Sequence, residues 1–271
     1  MNASIKNDLT DLVSISDEQI AFFKKNGFIK LRNVLSAETI HYLNETISSE
    51  VKRLNTQHLP IAERNTYGKA FLQIMNIWTK SEPVKEIVFS KKLASIATQL
   101  LEVEGVRMYH DQALYKEPFG GQTPWHADQY YWPLASEKTV TVWIPLQKTP
   151  LEMGPLEFSA GSQDLTTGRD KPIGDESQEL LAKVLSDNGY HQVIEPFDIG
   201  EVSFHQGWLY HRAGANKTDQ MRAVMTIIYM DANMKLKTPE NDNQVADWDT
   251  WCPGVKVGEV IDTKINQILF H

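Results

Sequence analysis

The stretch VRMYHDQALYK, residues 106–116, is where the apolar period of the chain changes from that of a helix to that of a strand. Four more stretches of strand character follow it: TVTVWIPLQ (139–147), PLEFSA (155–160), VSFHQG (202–207) and RAVMTIIYM (222–230). Turn-forming clusters separate them, EPFGGQTP at 117–124, EMGP at 152–155, DIGE at 198–201 and GANKTD at 214–219. A helix is expected between them, near 176–187. Upstream of residue 105 the pattern is helical. Ser16 and Gln19 form a capping-box pattern opening DEQIAFFKKN, which Gly27 ends. FIKLRNV reads as a short strand. Ser36 caps a helix through about Leu54, with Ile40, Leu43, Ile47 and Val51 on one face. Ser81 and Pro83 open another helical stretch, with a restart at Ser90 before LASIATQLL. Helices first and antiparallel strands after them predict a mainly β chain with flanking helices, an α+β fold. The expected core is a double-stranded β-helix (a cupin-like jelly roll) with helices on one outer face. No linker or repeat divides the chain, so residues 1–271 are expected to form one domain.

Bulk composition excludes several function classes. The formal net charge is −8 and the sequence has no dense Lys/Arg cluster, which argues against a nucleic-acid partner. Cys252 is the only cysteine, so no intrachain disulfide can form and a reducing, cytoplasmic setting is expected. The N-terminal MNASIKNDLTDLV lacks a basic region followed by an apolar one. The longest apolar run is AVMTIIYM, 223–230, far short of the ~18 residues of a membrane span.

Chemistry concentrates in WHADQYYW (125–132) and LYHRAGANKTDQMRAV (209–224). On an extended segment His126 and Asp128, at i and i+2, point to one face and can reach one metal. His211 is the candidate third ligand, and His205, six residues earlier, competes for that role. Two imidazoles and a carboxylate with open positions are the donor set of a non-haem Fe(II) oxygenase. The spacing to Arg222 favours His211, because GANKTD reads as a hairpin turn that returns Arg222 beside the metal. Arg222 then opens a nearly all-apolar strand, where a cation is costly without an anionic partner. A bound carboxylate held in a bidentate fork would supply one. Packing or backbone-bonded roles are the alternatives for each of these residues, as for the aromatic run Tyr130, Tyr131 and Trp132.

WHAD, GPLEFSAGS (154–162), H-x-x-G-x-N-K-T-x-x-x-R (211–222) and the upstream IAFFKKNG (20–27) occur in an order that resembles the phytanoyl-CoA dioxygenase family of Fe(II)/2-oxoglutarate-dependent oxygenases. The resemblance covers most of the chain. It implies iron held by His126, Asp128 and His211, and 2-oxoglutarate, with O2 as the other cosubstrate, gripped at its distal carboxylate by Arg222. It also implies cosubstrate contacts from Trp143, Gln112 and Gln73, the last placed in the helical region. Lys116 is either an anion contact or a strand lysine snorkelling to solvent, with the second favoured. Many members carry a hydroxyl two residues after the distal histidine, where this chain has Ala213, so one contact is missing or supplied elsewhere. The related halogenases lack the carboxylate that Asp128 retains, which favours hydroxylation or another oxidation.

The expected function is therefore oxidation of a small-molecule substrate, with succinate and CO2 released. A free metabolite suits the sequence better than a CoA thioester, because no cationic cluster awaits its phosphates. Two alternatives stay open: a cupin-like module that binds a small carboxylate and metal without turnover, and a zinc hydrolase. Oligomeric state is not legible.

Overall fold

A computed structural model describes residues 1–271. The N-terminal part runs α1 (Ala3–Thr10), α2 (Asp17–Asn26), β1 (Phe28–Leu31), α3 (Ala37–Leu54), α4 (Thr66–Ala70), β2 (Leu72–Met75), α5 (Glu82–Val88) and α6 (Lys91–Leu101). Then come β3 (Val106–Tyr115), β4 (Thr123–His126), β5 (Thr139–Pro145), β6 (Leu156–Ala160), α7 (Asp175–Asp187), β7 (His191–Ile194), β8 (Val202–Gln206), β9 (His211–Ala213), β10 (Val224–Asp231), α8 (Asp242–Trp251) and β11 (Ile268–Phe270).

The local signals set the ends of the early helices. The Ser16–Gln19 capping box is formed in both directions, and Gly27 closes α2 at φ +77°. Ser36 accepts from the Thr39 amide at the start of α3, and Ser90 does the same for Leu93 in α6. The strands form two antiparallel sheets, as a jelly roll requires. The larger has the order β1-β8-β5-β10-β3-β11, with β2 also paired to β3; the smaller has the order β4-β9-β6-β7.

Alternation along β5 shows how the large sheet divides space. Val140, Val142 and Ile144 belong to the main apolar core, whereas Thr141 and Trp143 between them line a cavity. β10 does the same with Met225 and Ile227 on the core side and Thr226 on the cavity side. The core side is covered by helices: Leu93, Ile96 and Leu100 of α6 are almost fully buried, each contributing roughly 1.5–3 kcal/mol by burial. A smaller apolar cluster joins the two sheets, with Phe28, Trp143 and Val224 from the large sheet and Leu156, Phe158 and Ala213 from the small one. The open space between the sheets is therefore walled by alternate residues of both.

Two expectations are corrected. Gln73 lies on strand β2, paired opposite Leu114 of β3, and not in a helix. FLQIMNIW has neither a clear helical nor a clear alternating period, and pairing with β3 decides its state. GANKTD is not a hairpin turn: β9 belongs to the small sheet and β10 to the large one, so the segment crosses between sheets.

Candidate active site

His126 ends β4, His211 opens β9, and the two are register partners. Their ring centroids are 4.3 Å apart. The His126 Nδ1 lies 2.8 Å from the Pro124 carbonyl oxygen, and the His211 Nδ1 lies 3.0 Å from that of Leu209. A carbonyl only accepts, so each Nδ1 carries the proton and each Nε2 presents a lone pair. After β4 the chain passes through extended Ala127 and tightens into a turn at Asp128. Asp128 Oδ1 is then 3.5 Å from His126 Nε2 and 3.8 Å from His211 Nε2. One ligand atom from each residue lies within 4.8 Å of the others, a spacing suited to one shared cation.

The other Asp128 oxygen belongs to the large sheet. Thr141 Oγ1 donates to Oδ2 at 3.3 Å, and His205 Nε2 lies 3.4 Å from the same atom. The buried His205 Nδ1 has no partner, so Nε2 carries the proton and donates. His205 thus holds the carboxylate from behind and offers no lone pair to the ligand side. Burial penalises the Asp128 charge, but His211, His126 and His205 around it hold the carboxyl well below its usual range. Burial first, then the nearby His126 and His205, push His211 well below the ordinary imidazole value. A neutral His211 beside an ionised Asp128 is the protonation that metal ligation needs.

The triad opens into a cavity of ≈ 530 Å³ whose lining includes Gln73, Gln112, Trp143 and Arg222. Arg222 is 2% exposed, pairs by backbone with Lys116, and has no carboxylate within ion-pairing distance. One guanidinium nitrogen donates to the Gly154 carbonyl at 2.5 Å, and the buried Nε has no partner. Gly154 sits at φ +68°, and a Cβ there would lie 2.2 Å from the Gly214 oxygen, so this close crossing admits only glycine. Burial pulls Arg222 down to about 9. Lys116 is fully buried and does not snorkel; Nζ donates to the Gly121 carbonyl at 2.5 Å and to Thr123 Oγ1 at 3.3 Å. Burial, and then the Arg222 charge, pull it down to about 6. Arg222, a buried cation without an acidic partner, makes this an anion-seeking corner.

The remaining expected residues are also on this cavity. Trp143 is buried against Phe197 at 4.8 Å between ring centroids, and the Arg222 guanidinium carbon lies 5.6 Å from its centroid, so it both packs and steadies the cation. Gln73 donates through its amide nitrogen to Gln112 Oε1 and accepts at 2.6 Å from the Tyr67 hydroxyl. Tyr131 and Trp132 line the cavity, whereas Tyr130 does not. His110, Asn243 and Asp247 also line it and were not anticipated. His110 was findable, standing two residues before Gln112 on one strand; Asp247 lies on a late helix with no motif around it.

The model of the family described as phytanoyl-CoA dioxygenase matches residues 23–224. The chain belongs to that family. Among its relatives, a probable alpha-ketoglutarate-dependent hypophosphite dioxygenase of Stutzerimonas stutzeri is 21% identical over 235 residues, covering 80% of this chain and 79% of the other. Two solved structures share the fold. The non-heme alpha-ketoglutarate-dependent carbocyclase SnoK from nogalamycin biosynthesis superposes with TM-score 0.76 at 22% identity, over 94% of this chain and 96% of its own. EctD from S. alaskensis, with 2-oxoglutarate and 5-hydroxyectoine, gives 0.70 at 20% identity, over 94% and 89%. As a member of the phytanoyl-CoA dioxygenase family with a His-Asp-His cluster facing a cavity, this chain is an iron- and 2-oxoglutarate-dependent oxygenase.

Proposed function

We propose that this family member oxidises a small molecule, most simply by hydroxylation, while 2-oxoglutarate and O2 become succinate and CO2. His126, Asp128 and His211 would hold the iron, and Arg222 the distal carboxylate of 2-oxoglutarate. The observation that carries this reading is the pairing, in one cavity, of a neutral-nitrogen and carboxylate donor set with the unpartnered Arg222. Two nitrogens and one oxygen on one side of a cation leave its remaining positions to the cavity, which suits Fe(II). Iron and 2-oxoglutarate together supply the oxidising power when bound.

The chain's own residues position and protect. Pro124 and Leu209 carbonyls fix both imidazole tautomers, and Thr141 with His205 fixes the carboxylate. Lys116, held largely neutral by burial and by the Arg222 charge, orders the Gly121–Thr123 loop beside it through its amine hydrogen bonds. The hydroxyl that many members carry at the position of Ala213 is offered here from the facing strand. Thr123 is the register partner of Ala213, lines the cavity and bonds Lys116. Trp143, Gln112 and Gln73 wall the cosubstrate region. The apolar part of the lining, Leu114, Trp143 and Leu156 among it, limits the water that competes for these charges. Residues 1–271 act as one catalytic domain, supported by a main core that runs from Ile5 to Leu269. No helix is long and apolar enough to cross a membrane, and the buried free Cys252 suits a reducing cytoplasm.

A CoA thioester is disfavoured, because Arg222 is the only Lys or Arg lining the cavity and it faces the cosubstrate corner. The test is anaerobic addition of Fe(II) and 2-oxoglutarate, followed by O2 and succinate measurement. A weak visible charge-transfer band and succinate release are expected. A silent carboxylate-binding module would release no succinate, and a zinc hydrolase would form no such band.

A further inference from the structure

The cavity has a second polar end that the iron and 2-oxoglutarate reading leaves unused. It is made by β3, the turn after Asp128 and α8. His110 is 3% exposed, lines the cavity, and its Nδ1 has no hydrogen-bond partner. Burial pulls it down to about 4, so it stands there as a neutral imidazole. Asp247 lines the same space four residues after Asn243 on α8. Its carboxylate accepts from the Tyr109 hydroxyl at 3.0 Å and has no Lys, Arg or His within ion-pairing distance. Burial pushes this carboxyl up to about 7. Tyr131, three residues after Asp128, lines the same cavity, its hydroxyl accepting from the Ile173 amide at 2.8 Å.

We propose that the substrate carries a protonated amine on a flat ring, with the ammonium paired to Asp247 and the ring against Tyr131 and Trp132. This rests on the iron and 2-oxoglutarate reading, which assigns the opposite end to the cosubstrate. An anionic substrate would meet Asp247 with no Lys or Arg at this end to receive it. A neutral one would leave Asp247 only proton uptake to relieve its buried charge. An ammonium supplies the missing counter-charge, and aromatic faces attract cations. His110 adds one directional hydrogen bond at the same end.

The test uses three probes that share an indole ring and differ in charge: tryptamine, tryptophol and indole-3-acetate. Each is titrated anaerobically into the Fe(II)–2-oxoglutarate protein, following the visible band, and into metal-free protein by calorimetry. Tryptamine should bind about tenfold more tightly than tryptophol, as one charge-assisted contact predicts. Asp247→Asn should shrink that ratio to about twofold or less, and Asp247→Lys should turn the preference to indole-3-acetate, a gain that misfolding cannot produce. Equal binding of tryptamine and tryptophol, a wild-type preference for indole-3-acetate, no binding of any probe at millimolar concentration, or a preference unmoved by either substitution would each overturn the amine assignment. Absence of the band itself would instead overturn the iron and 2-oxoglutarate reading, while calorimetry still reports on Asp247.

Discussion

Replacing Arg222 by methionine separates a cosubstrate grip from a structural cation, because the two roles predict opposite signs. In the ligand-free chain the guanidinium is buried with only the Gly154 carbonyl as a polar partner and Lys116 close by. Burial pulls its proton affinity well down, to about 9, a penalty on the order of 5 kcal/mol. Arg222→Met removes that penalty and loses one charged hydrogen bond of about 1.5–3 kcal/mol. The strand pairing survives, since the Arg222 and Lys116 backbones bond each other in both directions at 2.9 Å. The ligand-free variant should therefore unfold in urea within about 1 kcal/mol of wild type, or above it. Affinity for 2-oxoglutarate should fall steeply. Truncating one partner of a buried, hydrogen-bonded charge pair costs about 2–5 kcal/mol, or roughly 30- to 3000-fold in Kd. Anaerobic titration of Fe(II)-loaded protein with 2-oxoglutarate measures the second quantity. Unchanged saturation by 2-oxoglutarate, together with a ligand-free stability loss above about 2 kcal/mol, would show that Arg222 serves the fold and that the anion sits elsewhere.

Other outcomes follow from the same contacts. His126→Ala and Asp128→Ala should abolish succinate release and bind Fe(II) too weakly to saturate; a wild-type rate in either would defeat the ligand assignment. His205→Phe should keep the fold, since the ring already lies against Phe158, but weaken Fe(II) binding by about 10- to 100-fold in a chelator competition, because Asp128 Oδ2 loses one of its two donors. Asp111 governs a pH dependence. Burial pushes it up to about 7, only partly relieved by the Ile77 and Trp78 amides. The folded value exceeds the unfolded one, so its contribution is fully present below about pH 4 and is lost as pH rises through 7. The wild-type urea midpoint should therefore fall relative to that of Asp111→Asn between pH 4.5 and 7.5, the opposing contributions of the depressed His110 and His211 being common to both proteins; a constant difference between the two would remove Asp111 as a source.

Where local chemistry decides structure, the sequence was readable. The Ser16–Gln19 box needs only neighbours, and β5 declares itself by alternation between Thr141, Trp143 and their apolar flanks. The His126–Asp128 pair was readable for the same reason, since only Ala127 separates them where β4 ends. What escaped depends on distant partners. β9 is three residues long and is a strand only because β4 and β6 flank it. GANKTD has the composition of a tight turn, but composition does not say which sheet takes the next strand. Lys116 looked like an edge lysine reaching water; its burial comes from Arg222 and the 117–124 loop closing over it. His110 and Asp247 line one cavity only because α8, more than a hundred residues after β3, contributes to its wall.

Both ends of the cosubstrate corner are ties between the two sheets. His126 and His211 belong to the small sheet, but Asp128, which completes their set, is held from behind by Thr141 and His205 of the large one. Arg222 flanks β10 of the large sheet and donates to Gly154, just before β6 of the small one. The small sheet is built of strands of three to five residues, whereas the large one is backed by the main core. A cation shared by His126, Asp128 and His211 would therefore lock the weaker sheet to the stronger. A dianion on Arg222 would do the same at the other end. Loading should slow amide exchange in β4, β6 and β9 far more than in β5 and β10, which already sit near the global limit. Uniform slowing across both sheets would mean that ligands stabilise the fold only as a whole, and that Asp128 does not act as the link between its layers.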